Sequence, residues 1–76
     1  MKRIVTKRRK MFQFGRVAMR YYPDKGYRNA VRLLREELEM TQGLMPALEK
    51  HGYRKGQRIL SPRQMMVIES FLGKPN

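Results

Sequence analysis

The side chains of this chain that can do chemistry are its lysines and arginines, eighteen of them against six carboxylates, and the chemistry open to them is the binding of anions. The carboxylates are Asp24, Glu36, Glu37, Glu39, Glu49 and Glu69. Three of them crowd one stretch, Glu36 to Glu39, with no partner carboxylate set opposite for paired acid–base work. His51 is the one histidine and there is no cysteine, so a zinc site built on several histidines or on thiolates is not available, and no acid–histidine constellation surrounds His51 in sequence. A glycine-rich phosphate loop is also missing, since Lys55-Gly56 alone does not make one. The expectation is a non-enzymatic chain with no catalytic residue, no metal and no cofactor.

The placement of the charge says more than its total of +12 at pH 7. Residues 1–20 hold eight basic groups and no acid, residues 21–50 hold five of each, and residues 51–76 hold five basic groups and one acid. Positive charge therefore lies toward the two ends of the chain, around a nearly neutral middle. A field of that size attracts polyanions and opposes self-association. With 76 residues the chain has room for one domain. No apolar run approaches the roughly 20 residues that cross a bilayer, so no membrane partner is expected. The basic N-terminus lacks the apolar stretch of a secretory signal. The expected location is cytoplasmic or nucleoid-associated.

These charges must be positioned by few elements. Residues 1–10, MKRIVTKRRK, read as a flexible basic arm carrying the block Lys7, Arg8, Arg9 and Lys10, followed by a single helical domain over 11–76. The alternation from Met11 to Phe14 is compatible with one brief strand. Val17, Ala18, Tyr21 and Tyr22 recur at helical spacing, predicting a short helix from about Arg16 to Tyr22 that Pro23 stops. Pro23 to Gly26 reads as a turn, with Asp24 placed to cap the next helix. That helix is the clearest, from Gly26 or Tyr27 to about Glu39. Its stripe of Tyr27, Val31, Leu34 and Leu38, widened by Ala30, is expected to bury against the final helix.

A two-turn helix beginning at Leu44 or Met45 tolerates Pro46 in its first turn and ends at Gly52, with His51 in a capping position. Tyr53 to Leu60, YRKGQRIL, fits two arrangements: a small basic hairpin or wing of its own, or a strand at Arg58–Leu60 paired with Phe12–Phe14. The last helix starts on a strong signal: Ser61 at the N-cap, Pro62 at the first helical position and Gln64 completing a capping box. Met65, Ile68 and Leu72 form its inward face, and Gly73 ends it. The fold class expected is mainly α: a small helix–turn–helix-like bundle of three to four helices with at most one tiny two-stranded sheet or wing.

On that frame, Lys7, Arg8, Arg9, Lys10, Arg54, Lys55 and Arg58 are the candidate phosphate contacts. Arg28, Asn29, Arg32 and Arg35 on the long helix are the candidates for reaching base edges from a groove. Tyr21, Tyr22, Tyr27 and Tyr53 could stack on bases as in single-strand binders, but a core this small is expected to take Tyr27 and one of the adjacent pair.

Three segments of the chain resemble a small family of Bacteroidota and their mobile elements known as the domain of unknown function 4248. They are FQFGRVAMRYYPD at 12–24, AVRLLR at 30–35, and GYRKGQRILSPRQMMVIESFLGKP at 52–75. The chain departs from the family pattern at Val17-Ala18, at Glu37-Leu38-Glu39 and at Thr41-Gln42-Gly43. The resemblance implies a fold more than an activity. The order of elements looks like the helix–turn–helix core of small excisionase or regulator domains, with the long helix as recognition helix.

The leading expectation is a nucleic-acid-binding accessory or regulatory protein, with duplex DNA favoured over RNA as partner. The alternative is a protein–protein adaptor, or a structural protein of a phage or mobile element, whose basic surface meets an acidic partner. An exposed apolar patch at Met66, Val67 or Phe71 would favour that alternative.

Overall fold

The chain's structure is a computed structural model that describes residues 11–75. The elements run β1 (Phe12–Gln13), α1 (Phe14–Tyr21), α2 (Tyr27–Met40), α3 (Leu44–Lys50), β2 (Ile59–Leu60) and α4 (Pro62–Leu72). This is a helical bundle with one small sheet. Of the two arrangements open for YRKGQRIL, the strand pairing is the one adopted. β1 and β2 lie antiparallel with Phe12 opposite Leu60 and Gln13 opposite Ile59. Arg54 to Arg58 is therefore a connection and not a hairpin of its own.

The pairing also moves the start of the first helix. The Phe14 amide donates to the Arg58 carbonyl at 2.7 Å, so a helix-start amide finds its acceptor on the residue just before the neighbouring strand. The strand passes into the helix without a loop, and α1 begins at Phe14, ahead of the expected Arg16. Phe14, Val17 and Ala18 are buried and Tyr21 half-buried, a continuous stripe at intervals of three and four. Tyr22 caps this helix before Pro23, as expected.

In α2, Ala30, Leu34 and Leu38 are buried and Val31 half-buried. Two expectations fail here. Tyr27 is 62 % exposed, because it opens the helix, where the stripe has not yet reached the core. The chief partner of α2 is α1 and not α4, since residues 22–26 are just long enough to fold α2 back beside its predecessor. The final helix packs instead on α3. Asp24 does not cap α2 either. Gly26 occupies the N-cap at φ +82°, without a side-chain cap.

The end of α3 explains one glycine. The Tyr53 amide reaches the Leu48 carbonyl at 3.1 Å and the Gly52 amide reaches Glu49 at 3.0 Å, with Gly52 at φ +83° between them. These two bonds define a Schellman motif, whose positive-φ position suits glycine. Its usual apolar contact is present, because Leu48 and Tyr53 both enter the core. At α4 both halves of the capping box form between Ser61 and Gln64.

Gln64 does more than cap. It is the one buried polar residue among those described, at 3 % exposure. Its Nε2 donates to the His51 carbonyl at 2.9 Å, and its Oε1 accepts from the Ser61 amide at 3.0 Å and from Gln57 Nε2 at 2.7 Å. One side chain thereby joins the end of α3, the Arg54–Arg58 connection and the start of α4. Gln64→Ala should lose about 2–3 kcal/mol, combining half of a capping box with buried groups left unpaired. An unchanged urea midpoint for this variant would contradict the assignment.

Candidate nucleic-acid interface

Three guanidinium groups from two elements share one groove. Arg28 and Arg35 stand two turns apart on α2, Arg58 immediately precedes β2, and all three are exposed. The groove between them has a volume of about 520 Å³. Phe14, Val31 and Ile59 add apolar lining, and Gln13, Gly15 and Tyr27 complete it. The sheet register builds this arrangement: once Gln13 pairs with Ile59, Arg58 is brought beside the start of α1, and α1 carries α2 alongside.

The remaining sequence-predicted residues are placed differently. Lys7, Arg8, Arg9 and Lys10 lie outside the described residues. Asn29 donates to the Lys25 carbonyl at 3.2 Å and accepts from Arg32 at 3.5 Å. Arg32 also pairs with Glu36 at 3.2 Å, so these two candidate readers are engaged with α2 itself and with the turn that precedes it. Arg54 and Lys55 sit on a turn closed by the Gln57 amide to the Arg54 carbonyl, with Gly56 at φ +86° where a type II turn requires it. Lys55 reaches Glu39 at 3.4 Å, which holds the turn against the end of α2. Both of these ion pairs are solvent-exposed and worth little in stability. Their effect is on which cations remain uncompensated. Among the described residues, no carboxylate is in ion-pair range of Arg28, Arg35 or Arg58.

The groove holds its shape through contacts of its own. The Arg35 guanidinium lies 5.6 Å from the centre of the Phe14 ring, a cation–π placement that fixes its stem while leaving the charge exposed. Tyr27 leans into the space a Cβ on Gly15 would occupy, so glycine is what admits the ring. Behind the groove, Tyr53 is buried. Burial pushes its phenol above the usual tyrosine range, with Glu39 adding to the rise and Arg35 opposing it. Burial likewise raises Tyr21 and Tyr22 above the usual tyrosine range.

Sequence reasoning missed Gly15 as part of this site and, having weighed Tyr27 for base stacking, gave it to the core. One signal was available: glycine inside a helix is costly unless something approaches closely, and Gly15 is such a glycine. Groups of three or more histidine, cysteine, aspartate or glutamate side chains able to hold a metal do not occur among the described residues. No helix among them is long and apolar enough to cross a membrane.

The fold and the groove define a small helical bundle with a two-stranded sheet and a basic, partly aromatic cleft. The chain belongs to the family described as Domain of unknown function (DUF4248), whose family model matches residues 8–75. No curated protein and no solved structure matches it.

Proposed function

We propose that this protein binds nucleic acid without catalysing a reaction, as an accessory or regulatory protein with duplex DNA preferred over RNA. The observation that carries this reading is the convergence of Arg28, Arg35 and Arg58 on one groove with no carboxylate in ion-pair range among the described residues. Free guanidinium groups are the donors of choice for phosphate oxygens. Arg54 and Lys55 extend the basic surface along the chain, and Lys7 to Lys10 supply further charge for the backbone. In this reading α2 faces the duplex in the manner of a helix–turn–helix recognition helix. Arg28 is then the foremost candidate for a base edge, because Asn29 and Arg32 are already engaged. Nucleoid association and a role in mobile elements of Bacteroidota belong to the same proposal.

The test is titration of labelled duplex DNA, single-stranded DNA and duplex RNA at several salt concentrations. Binding that weakens steeply and log-linearly with salt is expected, tightest for DNA. Absence of binding to all three at low salt would reject the proposal.

A second reading has one observation in its favour. Met66 is 66 % exposed and Phe71 41 % exposed on α4, with Val67 half-buried between them in sequence. Exposed apolar residues of this kind suit an acidic protein partner with an apolar centre. That reading predicts binding to such a protein that weakens with salt less steeply than binding to DNA does and is lost in Met66→Asp.

A further inference from the structure

Three guanidinium groups would be sufficient for a phosphate, yet the groove has more than that. Tyr27 is 62 % exposed and Ile59 42 % exposed, so the groove lined by three guanidinium groups also offers aromatic and aliphatic surface. The Tyr27 ring packs on the backbone of α1. One edge rests on Gly15, where the missing Cβ makes room for it, so the ring is propped at the mouth of the groove. A volume of about 520 Å³ lies within the range of roughly 300–1,000 Å³ found for small-ligand pockets.

Building on the nucleic-acid reading above, we infer that this groove holds one unpaired nucleotide of a bound strand, its base against Tyr27 and its flanking phosphates on Arg28, Arg35 and Arg58. A base within an intact duplex is stacked on its neighbours and cannot present its face to a tyrosine, whereas an unpaired base can. Stacking on an aromatic side chain is indifferent to base identity, because every base has a π-face. The preferred ligand is then duplex DNA carrying a single-stranded overhang: the duplex takes the general positive field and the first unpaired nucleotide takes the groove.

The test compares three ligands of equal duplex length: blunt-ended, with a normal overhang, and with an abasic overhang that keeps the phosphates but lacks the bases. The wild-type chain should bind the normal overhang about 5- to 150-fold more tightly than the abasic one, the span that one stacked base corresponds to. Tyr27→Ala should abolish that preference, and Tyr27→Phe should keep it. Gly15→Ala, which displaces the ring without removing it, should reduce the preference. Circular dichroism on each variant would show whether the helices are retained.

Equal affinity for normal and abasic overhangs would overturn the inference, as would a preference that persists in Tyr27→Ala. Either result leaves nucleic-acid binding intact if the blunt duplex still binds with a steep salt slope. Failure of all three ligands to bind would remove both readings. A free nucleoside monophosphate that competes at the same concentration as the overhang strand would overturn the assignment to a nucleic-acid strand.

Discussion

Replacing Leu34 with alanine should lower the stability of the domain by about 2–5 kcal/mol, the range for removing a fully buried leucine. Leu34 has 0 % exposure and lies in the middle of α2, within the cluster that joins α1, α2, α3, β2 and α4. At roughly 0.05–0.15 kcal/mol per residue, a domain of this length has about 4–11 kcal/mol in total. The loss is therefore a large part of what holds the fold together. Urea denaturation should show a lower midpoint with an unchanged slope. Arg32→Ala, two residues earlier, should shift stability by no more than about 0.5 kcal/mol, because its ion pair with Glu36 is exposed on both sides. Similar midpoints for the two variants would mean that the buried face of α2 has been misassigned.

The second large effect concerns salt. If Arg28, Arg35 and Arg58 each meet a phosphate of the bound DNA, the triple glutamine variant should flatten the plot of log affinity against log salt by about 2–2.7, at roughly 0.7 per single-strand and 0.9 per duplex contact. Each single variant should remove about a third of that. Arg32→Gln should remove less, because Glu36 already offsets its charge, and Asn29→Ala should leave the slope unchanged because asparagine is neutral. Arg28→Gln carries an additional expectation. If this residue reaches a base edge, it should lose about 1–3 kcal/mol on a preferred site and less on random DNA. Equal losses on both would reject sequence reading at Arg28 and leave the phosphate role standing. An unchanged salt slope in the triple variant would move the interface away from this groove.

Much of the fold was legible in the residues themselves. Ser61, Pro62 and Gln64 announce the start of α4 because a capping box is a local arrangement, complete within one turn. The length of α2 follows from a helical apolar period and Pro23 ahead of it, and Gly52 and Gly73 mark ends that need positive φ. What is local in sequence can be read there. The small sheet was only half legible, since two residues per strand carry almost no period and the choice of partner depends on a contact 48 positions away.

The sequence by itself determined the polyanion-attracting charge, the absence of cysteine, and the helices with most of their inward faces. All of these follow from composition and from spacings within a few residues. Only the tertiary structure decided which cations are available. The sequence offers Arg28, Asn29, Arg32 and Arg35 as equals on one helix, but folding leaves Arg32 to Glu36, turns Asn29 back on the Lys25 carbonyl before the helix, and brings Arg58 across from the start of β2 to join Arg28 and Arg35. Tyr27 was assigned to the core by the same periodicity that correctly buried Leu34. Its exposure depends on where the helix begins relative to α1 and on the space left by Gly15, and neither quantity is carried by the spacing of apolar residues along a single helix.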